Sequence, residues 1–401
     1  MNKLENKVAW YLSVIGFLGI FSTTISKNPV LPLFIKGLGG QDYILGIIAA
    51  ASPLAGILFS FPIGFLADRI GKRKLLIWSA IIFVISPLLY LTVINPLWLI
   101  PIRFFHGLAT AIMGPIATAM IVTLFQKNKA EKLGVYSSAT LFGRTLAPLL
   151  GGFIISYFGF LGGLTNYRLV YIIAFVLSLP IIFLVWGVPK EDKTVTVKQI
   201  KLREMATALK KFVSNKILLS TSLVDMATYF IYGVLEAYLP VFLIGKHIPA
   251  NLIGLLFSIQ VISIALTKPL FGKLADRINK RVQIMIGIGI LIITTLLIYS
   301  INNYGLMLIN VLFFGLGMSL STVATSTYIS DNVDQESQGT SMGLLSGLMD
   351  VGQTLGPFLT GFLVTMFSYQ LGFYFSSVIA LLSALFFFWA NFGKKLNKSL
   401  T

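Results

Sequence analysis

The chain has 401 residues, of which 56% are hydrophobic and 11% charged, with a formal net charge of +17 and no cysteine. Roughly a quarter of an ordinary soluble domain is charged, and a water-facing chain of this size has no means of hiding so much apolar surface. The composition excludes a soluble globular protein and predicts one for which lipid is the solvent, and the missing cysteine excludes disulfides and thiolate chemistry.

Apolar runs predict about twelve membrane-spanning helices. The first, at 8–34, is too long for a signal peptide and lacks a small-residue cleavage site, so it is expected to persist as a helix. Spans 2 to 6 follow at 43–66, 74–95, 98–126, 133–158 and 168–188, and spans 7 to 12 at 217–245, 250–272, 282–301, 304–330, 339–367 and 370–393. This divides the chain into an N-terminal six-helix bundle (1–188), a polar cytoplasmic linker (189–216) and a C-terminal six-helix bundle (217–401). In the linker, Leu202, Met205, Leu209 and Phe212 share one helical face, with Lys201, Arg203, Lys210 and Lys211 elsewhere. The pattern fits an interfacial amphipathic helix, and equally a tether ordered only by its neighbours.

An even number of spans per half puts both termini on one side, and the loops of that side hold most of the lysine and arginine. Near the other face stand Lys27, Lys36, Arg168 and Lys246. By the positive-inside rule both termini are cytoplasmic. The basic charge is a topology signal, so no nucleic-acid partner is expected, and a prokaryotic cytoplasmic membrane is the expected location.

The two halves repeat each other in one register. Leu31-Pro32-Leu33-Phe34 is echoed by Leu239-Pro240-Val241-Phe242, and Ile44-Leu45-Gly46-Ile47 by Leu252-Ile253-Gly254-Leu255. Leu66-Ala67-Asp68-Arg69-Ile70 returns unchanged as Leu274-Ala275-Asp276-Arg277-Ile278. One residue further out of phase, Gly143-Arg144-Thr145-Leu146-Ala147-Pro148 returns as Gly352-Gln353-Thr354-Leu355-Gly356-Pro357. The expected fold is an all-α membrane protein of two parallel six-helix repeats around a central cavity, which rocking exposes to each side in turn.

The loop after span 2 reads Gly64-Phe65-Leu66-Ala67-Asp68-Arg69-Ile70-Gly71-Lys72-Arg73. Gly64 and Gly71 are expected to permit a tight turn, and Asp68 is a carboxylate at a helix boundary, able to sit by another helix's N-terminus. The second copy, Gly272-Lys273-Leu274-Ala275-Asp276-Arg277-Ile278-Asn279-Lys280-Arg281, has Asn279 in place of the second glycine. This doubled segment resembles the loop signature of the major facilitator superfamily, over essentially the whole chain. The resemblance implies a cytoplasmic latch formed by Gly64, Asp68, Arg69, Gly71, Arg73, Asp276 and Arg277, with Asp68 approaching span 11 and Asp276 approaching span 5. The alternative is a plain topology-setting turn.

In span 4, Leu99, Arg103, Gly107, Ala109 and Ala111 resemble a pattern of the drug:proton antiporters within that superfamily, with His106 replacing the usual glutamine. In span 5, Gly143, Ala147, Pro148, Gly151 and Gly152 resemble the antiporter signature, with alanine for one glycine. These imply export and a role for Arg103 in proton movement. Small residues at this spacing let helices approach and proline bends them. Gly352, Gly356, Pro357 and Gly361 repeat the device in span 11, which weakens the directional implication.

Arg103, Arg144, Asp225, Glu236, Lys268 and Asp350 fall within spans. Lys268 is near a helix end and can snorkel. Each of the other five would cost roughly 2.5–3.5 kcal/mol if exposed to lipid at mid-depth, so they are expected to face protein or an aqueous cavity. Asp225, Tyr229, Tyr232 and Glu236 form one stripe along span 7, suited to a cavity wall. Desolvation favours the neutral form of a carboxylic acid, which makes Glu236, Asp225 and then Asp350 the candidate proton carriers. A fixed ion pair with Arg103 or Arg144 is the alternative for each. His106 is read as a hydrogen-bonded helix residue. Lys27, Arg103 and Arg144 make the first half locally cationic and the acids make the second anionic, so cations, zwitterions and anions all stay open as substrates.

No catalytic residue, cofactor or metal site is expected. The chain has two histidines and no zinc-protease or Walker-type motif, and Gly315-Leu316-Gly317 reads as helix packing, which excludes an enzyme. A static channel fits the duplication poorly. The leading reading is a secondary active transporter working by alternating access, as a monomer, with a small-molecule substrate, protons and the lipid bilayer as partners. It is expected to export small amphipathic compounds or metabolites against protons. Proton-coupled uptake of a sugar, organic anion or amino acid is the alternative, and a receptor or sensor on a transporter scaffold is the non-transport one.

Overall fold

A computed structural model describes residues 3–125, 128–189, 212–275, 277–334 and 338–399, with the side chains at 3–6, 60, 61, 64, 65, 68 and 393–399 excepted. Among these residues the chain is helical apart from its turns. The helices are α1 (Lys3–Ile25), α2 (Val30–Gly37), α3 (Asp42–Ile70), α4 (Lys72–Leu91), α5 (Leu99–Leu124), α6 (Lys129–Tyr157) and α7 (Thr165–Trp186). They continue as α8 (Lys216–Gly245), α9 (Ala250–Ala275), α10 (Lys280–Leu297), α11 (Tyr304–Asp331), α12 (Gln338–Met366) and α13 (Tyr369–Ser399). Among the described residues eleven stretches are long and apolar enough to cross a membrane, α1 and α2 counting as one. α12 has the length as well, but Ser341, Asp350, Gln353 and Thr360 dilute its apolar character. Prolines lie inside most of these helices, among them Pro53, Pro87, Pro115, Pro148 and Pro357. Membrane helices tolerate them because neighbouring groups meet the carbonyls they free.

Span 1, expected as one helix, is two. α1 stops at Ile25 and α2 starts at Val30, because Pro29 has no N–H to give and disfavours helical backbone at Asn28. The predicted linker helix falls mostly outside the described residues. Its last apolar position, Phe212, is 3% exposed and packs with Leu218, Ile329 and Leu345.

The chain forms two compact units. The first is Met1–Lys198 with Pro240–Ser258, and the second is Gln199–Leu239 with Ile259–Thr401. In the first, α1 packs on α6 and α7, α3 on α5, and α4 on α5 and α7, around Leu12, Ile15, Phe83, Met113, Met120 and Ile181. In the second, α10 packs on α11 and α13, and α12 on α13. Outward faces are apolar. Val135, Phe142, Leu150, Phe153 and Tyr157 form one exposed stripe on α6, as expected where lipid replaces water.

Glycine sets the closest approaches. A side chain on Gly107 would come within 2.5 Å of the Ser52 carbonyl, and one on Gly143 within 2.8 Å of the Phe17 carbonyl. On another face of α6, Gly152 meets Ala250 and Gly254, and Gly254 meets Pro148. Ser258 donates to the Thr145 carbonyl (2.7 Å) and Ser156 contacts Asn251 along the same seam. Gly151 abuts Ile25 and Val30. In the second unit Gly352 and Gly356 lie against the Met226 and Phe230 carbonyls of α8, and the Tyr238 hydroxyl donates to the Pro357 carbonyl (2.7 Å).

Candidate functional site

The doubled loop motif is built differently from expectation. Gly64 is still within α3, which runs on to Ile70, so the turn is made by one residue, Gly71, at φ 90°. In the second copy Asn279 does the work with φ −58°, its side chain accepting from the Arg281 amide (3.0 Å). The Asp68 side chain and Asp276 lie outside the described residues. Arg69 and Arg277 are exposed.

Arg73, expected in a latch, ties its own bundle together. It donates to the Trp186 carbonyl at the end of α7 (2.5 Å), while Lys72 donates to Thr123 at the end of α5 (3.1 Å). The second unit repeats the device. Lys280 pairs with Asp331 at the end of α11 (2.7 Å), and Arg281 donates to the Asn391 carbonyl of α13 and the Tyr328 hydroxyl (both 2.8 Å). Tyr328 donates to Asn391 Oδ1, and Asn391 Nδ2 donates to Ser220. Arg281→Gln is expected to lower stability by about 1.5–3 kcal/mol, the range for hydrogen bonds to a charged group. Thermal unfolding of the purified protein checks this, and an unchanged midpoint would show the network to be dispensable.

The acidic stripe lies in the second unit, on α8. The 18-residue apolar core of that helix is 83% buried, the highest share of any span. Asp225 is 3% exposed and Glu236 7%. Thr325 of α11 donates to Asp225 Oδ1 (2.8 Å), and Lys268 of α9 is close enough for its charge to act on the same carboxyl group. One turn along, Thr228 and Ser321 are 3.1 Å apart. The Tyr229 and Tyr232 rings meet edge to face with centroids 6.3 Å apart. Gln353 of α12 donates to Glu236 Oε2 (3.1 Å). Asp350 is half-buried on α12, and its carbonyl accepts from Thr354 (2.8 Å).

This arrangement has a chemical consequence. A hydroxyl or an amide can donate to a carboxylate, or accept from its protonated form, whereas a guanidinium can only donate. Thr325 and Gln353 therefore suit acids that gain and lose a proton. Among the described residues no group of three His, Cys, Asp or Glu is placed to hold a metal ion.

The basic candidates lie in the first unit. Arg144 is exposed on α6, on the side away from the apolar stripe, with Ser137. Arg103 is 1% exposed, enclosed within its bundle by residues of α4, α5 and α7. His106 is fully buried, its Nδ1 3.5 Å from the Tyr90 hydroxyl.

Sequence reasoning missed Thr325, Gln353 and the placing of Lys268. Gln353 had a signal, since it occupies the repeat position of Arg144. Thr325 had none, being one hydroxyl among many on α11.

The family model described as Major Facilitator Superfamily matches residues 12–251 and 226–400. The chain is 24% identical to an uncharacterized MFS-type transporter of Methanocaldococcus jannaschii, over 96% of this chain and 99% of that protein. It is 26% identical to the multi-drug resistance efflux pump PmrA of Streptococcus pneumoniae, over 95% of this chain and 94% of the pump. Among solved structures, a bacterial homolog of the human lysosomal transporter Spinster superposes with a TM-score of 0.80 at 18% identity, covering 97% of each chain.

Proposed function

The chain belongs to the Major Facilitator Superfamily of transporters, and from that membership we propose that it exports small amphipathic compounds in exchange for protons. The observation that carries this reading is the buried stripe on α8, where Asp225 and Glu236 face partners able to serve both protonation states. Similarity to a multidrug efflux pump over nearly the full length of both chains supports the direction.

Coupling follows if proton and substrate bias one conformational equilibrium in opposite senses. A proton on Glu236 or Asp225 removes a charge from the wall of the substrate path and favours a state in which the acid is dry. Substrate favours the state in which the acid is ionised. Each turnover then exchanges one for the other. The tyrosines between the two acids supply aromatic faces and hydroxyls for an amphipathic solute, and Asp350 on α12 is the third acid of the set. The glycine-lined seam of α6 against the start of α9 is the proposed gliding surface, since small residues let backbones shift without side-chain clashes. We read both termini as cytoplasmic, a reading supported by the concentration of lysine and arginine in the loops of that side.

The test uses everted membrane vesicles energised acid-inside, a pH-reporting dye and a panel of lipophilic cations and neutral amphiphiles. A substrate is expected to dissipate the gradient in wild type. Glu236→Gln keeps an oxygen for the Gln353 amide but cannot release a proton, and is expected to cut the response by about tenfold or more. Unchanged pH-driven transport in Glu236→Gln removes this residue from the mechanism. Solute movement down the proton gradient's own direction makes the protein an uptake symporter.

A further inference from the structure

Arg103 is among the largest fully buried side chains of the molecule, and its Nε and Nη1 have no hydrogen-bond partner. The other buried groups without a partner include Tyr171 Oη, His106 Nε2 and Ser86 Oγ. Tyr171 and His106 both adjoin Tyr90. The Tyr90 and Tyr171 rings stack with centroids 4.5 Å apart, and His106 lies 6.0 Å from the Tyr90 ring. Phe83 closes on His106 at 5.8 Å and Phe34 on Tyr171 at 5.4 Å. The Arg103 charge acts on Tyr90, Tyr171 and His106 alike. Ser86 is one turn before Tyr90 on α4, on the same face. One turn beyond the tyrosine pair, Arg168 donates to the Val93 carbonyl (3.3 Å) and keeps a buried Nε without a partner.

A guanidinium stays charged in a protein, and a buried charge without a counter-charge costs several kcal/mol. The unit's described carboxylates do not supply one, for Asp42 is bound to Lys36 (2.9 Å) and Glu131 to Lys132 (3.0 Å). Every orphaned group here is able to donate. Arg103 can only donate, and the hydroxyls of Tyr171 and Ser86 are free to turn inward. If the Tyr90 hydroxyl donates to His106 Nδ1, the neutral ring carries its proton on Nε2, making a further donor. A cluster of donors around one cation, bordered by aromatic rings, is complementary to a small anion. We propose that the buried Arg103 cluster between α4, α5 and α7 binds a small monovalent anion of the halide class, chloride in the first instance. This site is separate from the acidic stripe of α8 and does not depend on the direction or coupling of transport. The anion neutralises the bundle from within, one turn from the end where α4 passes to α5 and α6 to α7.

The test uses the purified full-length protein in detergent, exchanged into sodium gluconate and titrated with sodium chloride or bromide at constant ionic strength. A saturable rise in the unfolding midpoint of about 2–4 °C is expected, together with an anomalous bromide peak within hydrogen-bonding distance of Arg103 in bromide-grown crystals. Arg103→Gln should abolish the rise. Tyr171→Phe keeps the ring stack and deletes only the unpartnered hydroxyl. It should weaken halide affinity about fivefold while leaving the midpoint in gluconate unchanged, and it decides the matter if Arg103→Gln does not fold. Equal midpoints in gluconate and halide, a halide effect untouched by Tyr171→Phe, or ordered water at Arg103 in place of bromide would each overturn the site.

Discussion

Asp225→Asn is expected to impair proton-driven transport severely while leaving the protein folded and close to wild-type stability. The substitution is nearly isosteric. The asparagine oxygen still accepts from the Thr325 hydroxyl, which is 2.8 Å from Oδ1 in the native arrangement. What is lost is the ability to switch charge. Lys268, whose field reaches this position, is itself exposed, so losing the carboxylate does not strand it in a dry site. Initial rates under an imposed pH gradient should fall by about tenfold or more, since allosteric couplings span roughly 5–150-fold. Substrate binding measured without a gradient should change far less. Asp225→Leu is the harsher variant, because it leaves Thr325 facing an apolar group and removes the acid at once. A gradient-driven rate preserved in Asp225→Asn would reduce this carboxyl group to a packing element, and the coupling role would pass to Glu236 and Asp350.

Lys268 makes the same variant informative in a second way. Proximity to a helix end is a reason for a lysine to be tolerated there and no reason for it to act on Asp225. Three-dimensional placing adds the second fact. α9 brings the lysine close enough for its charge to act on the acid, and no spacing rule within one helix encodes that.

The same division runs through the whole chain. Spans were legible because lipid demands apolar length, and the repeat because Leu66–Ile70 and Leu274–Ile278 are identical. The stripe on α8 was legible because all four residues lie on one helix, where periodicity fixes their face. Its partners were not, since Thr325 and Gln353 come from helices whose packing depends on side chains far along the chain. The loop motif was visible as a pattern, yet its working parts differed. Gly71 makes the turn and Gly64 does not, and the Lys72-Arg73 and Lys280-Arg281 pairs each bind the ends of two helices in their own unit. Arg103 was recognised as costly in lipid, but a helix wheel does not show that its neighbours on α4 and α7 are Tyr90 and Tyr171. The break in span 1 was foreshadowed by Pro29 and outweighed by the hydropathy of the flanking residues.

Gly356→Leu offers the largest expected effect on stability, and the same helix supplies its control. Gly356 lies against the Phe230 carbonyl of α8, and Gly352 against that of Met226. A side chain at either meets backbone, which cannot rotate away as a flexible side chain would. Overpacking of this kind costs about 1–3 kcal/mol and sometimes more. At Gly347, earlier on α12, an added Cβ has nothing within 4 Å. There alanine should be neutral or stabilising by up to about 1 kcal/mol, because glycine is the poorer helix former. Thermal unfolding of the two variants side by side should therefore give shifts of opposite sign or very unequal size. The functional consequence follows from where the contact falls. Phe230 lies between Tyr229 and Tyr232, so forcing α12 away from α8 displaces the stripe and draws Gln353 back from Glu236. Transport should fall in Gly356→Leu by more than the loss of folded protein explains, and survive in Gly347→Ala. Equal shifts in both variants would mean that α12 does not pack on α8 through its glycines, and the positioning of Glu236 would need another cause.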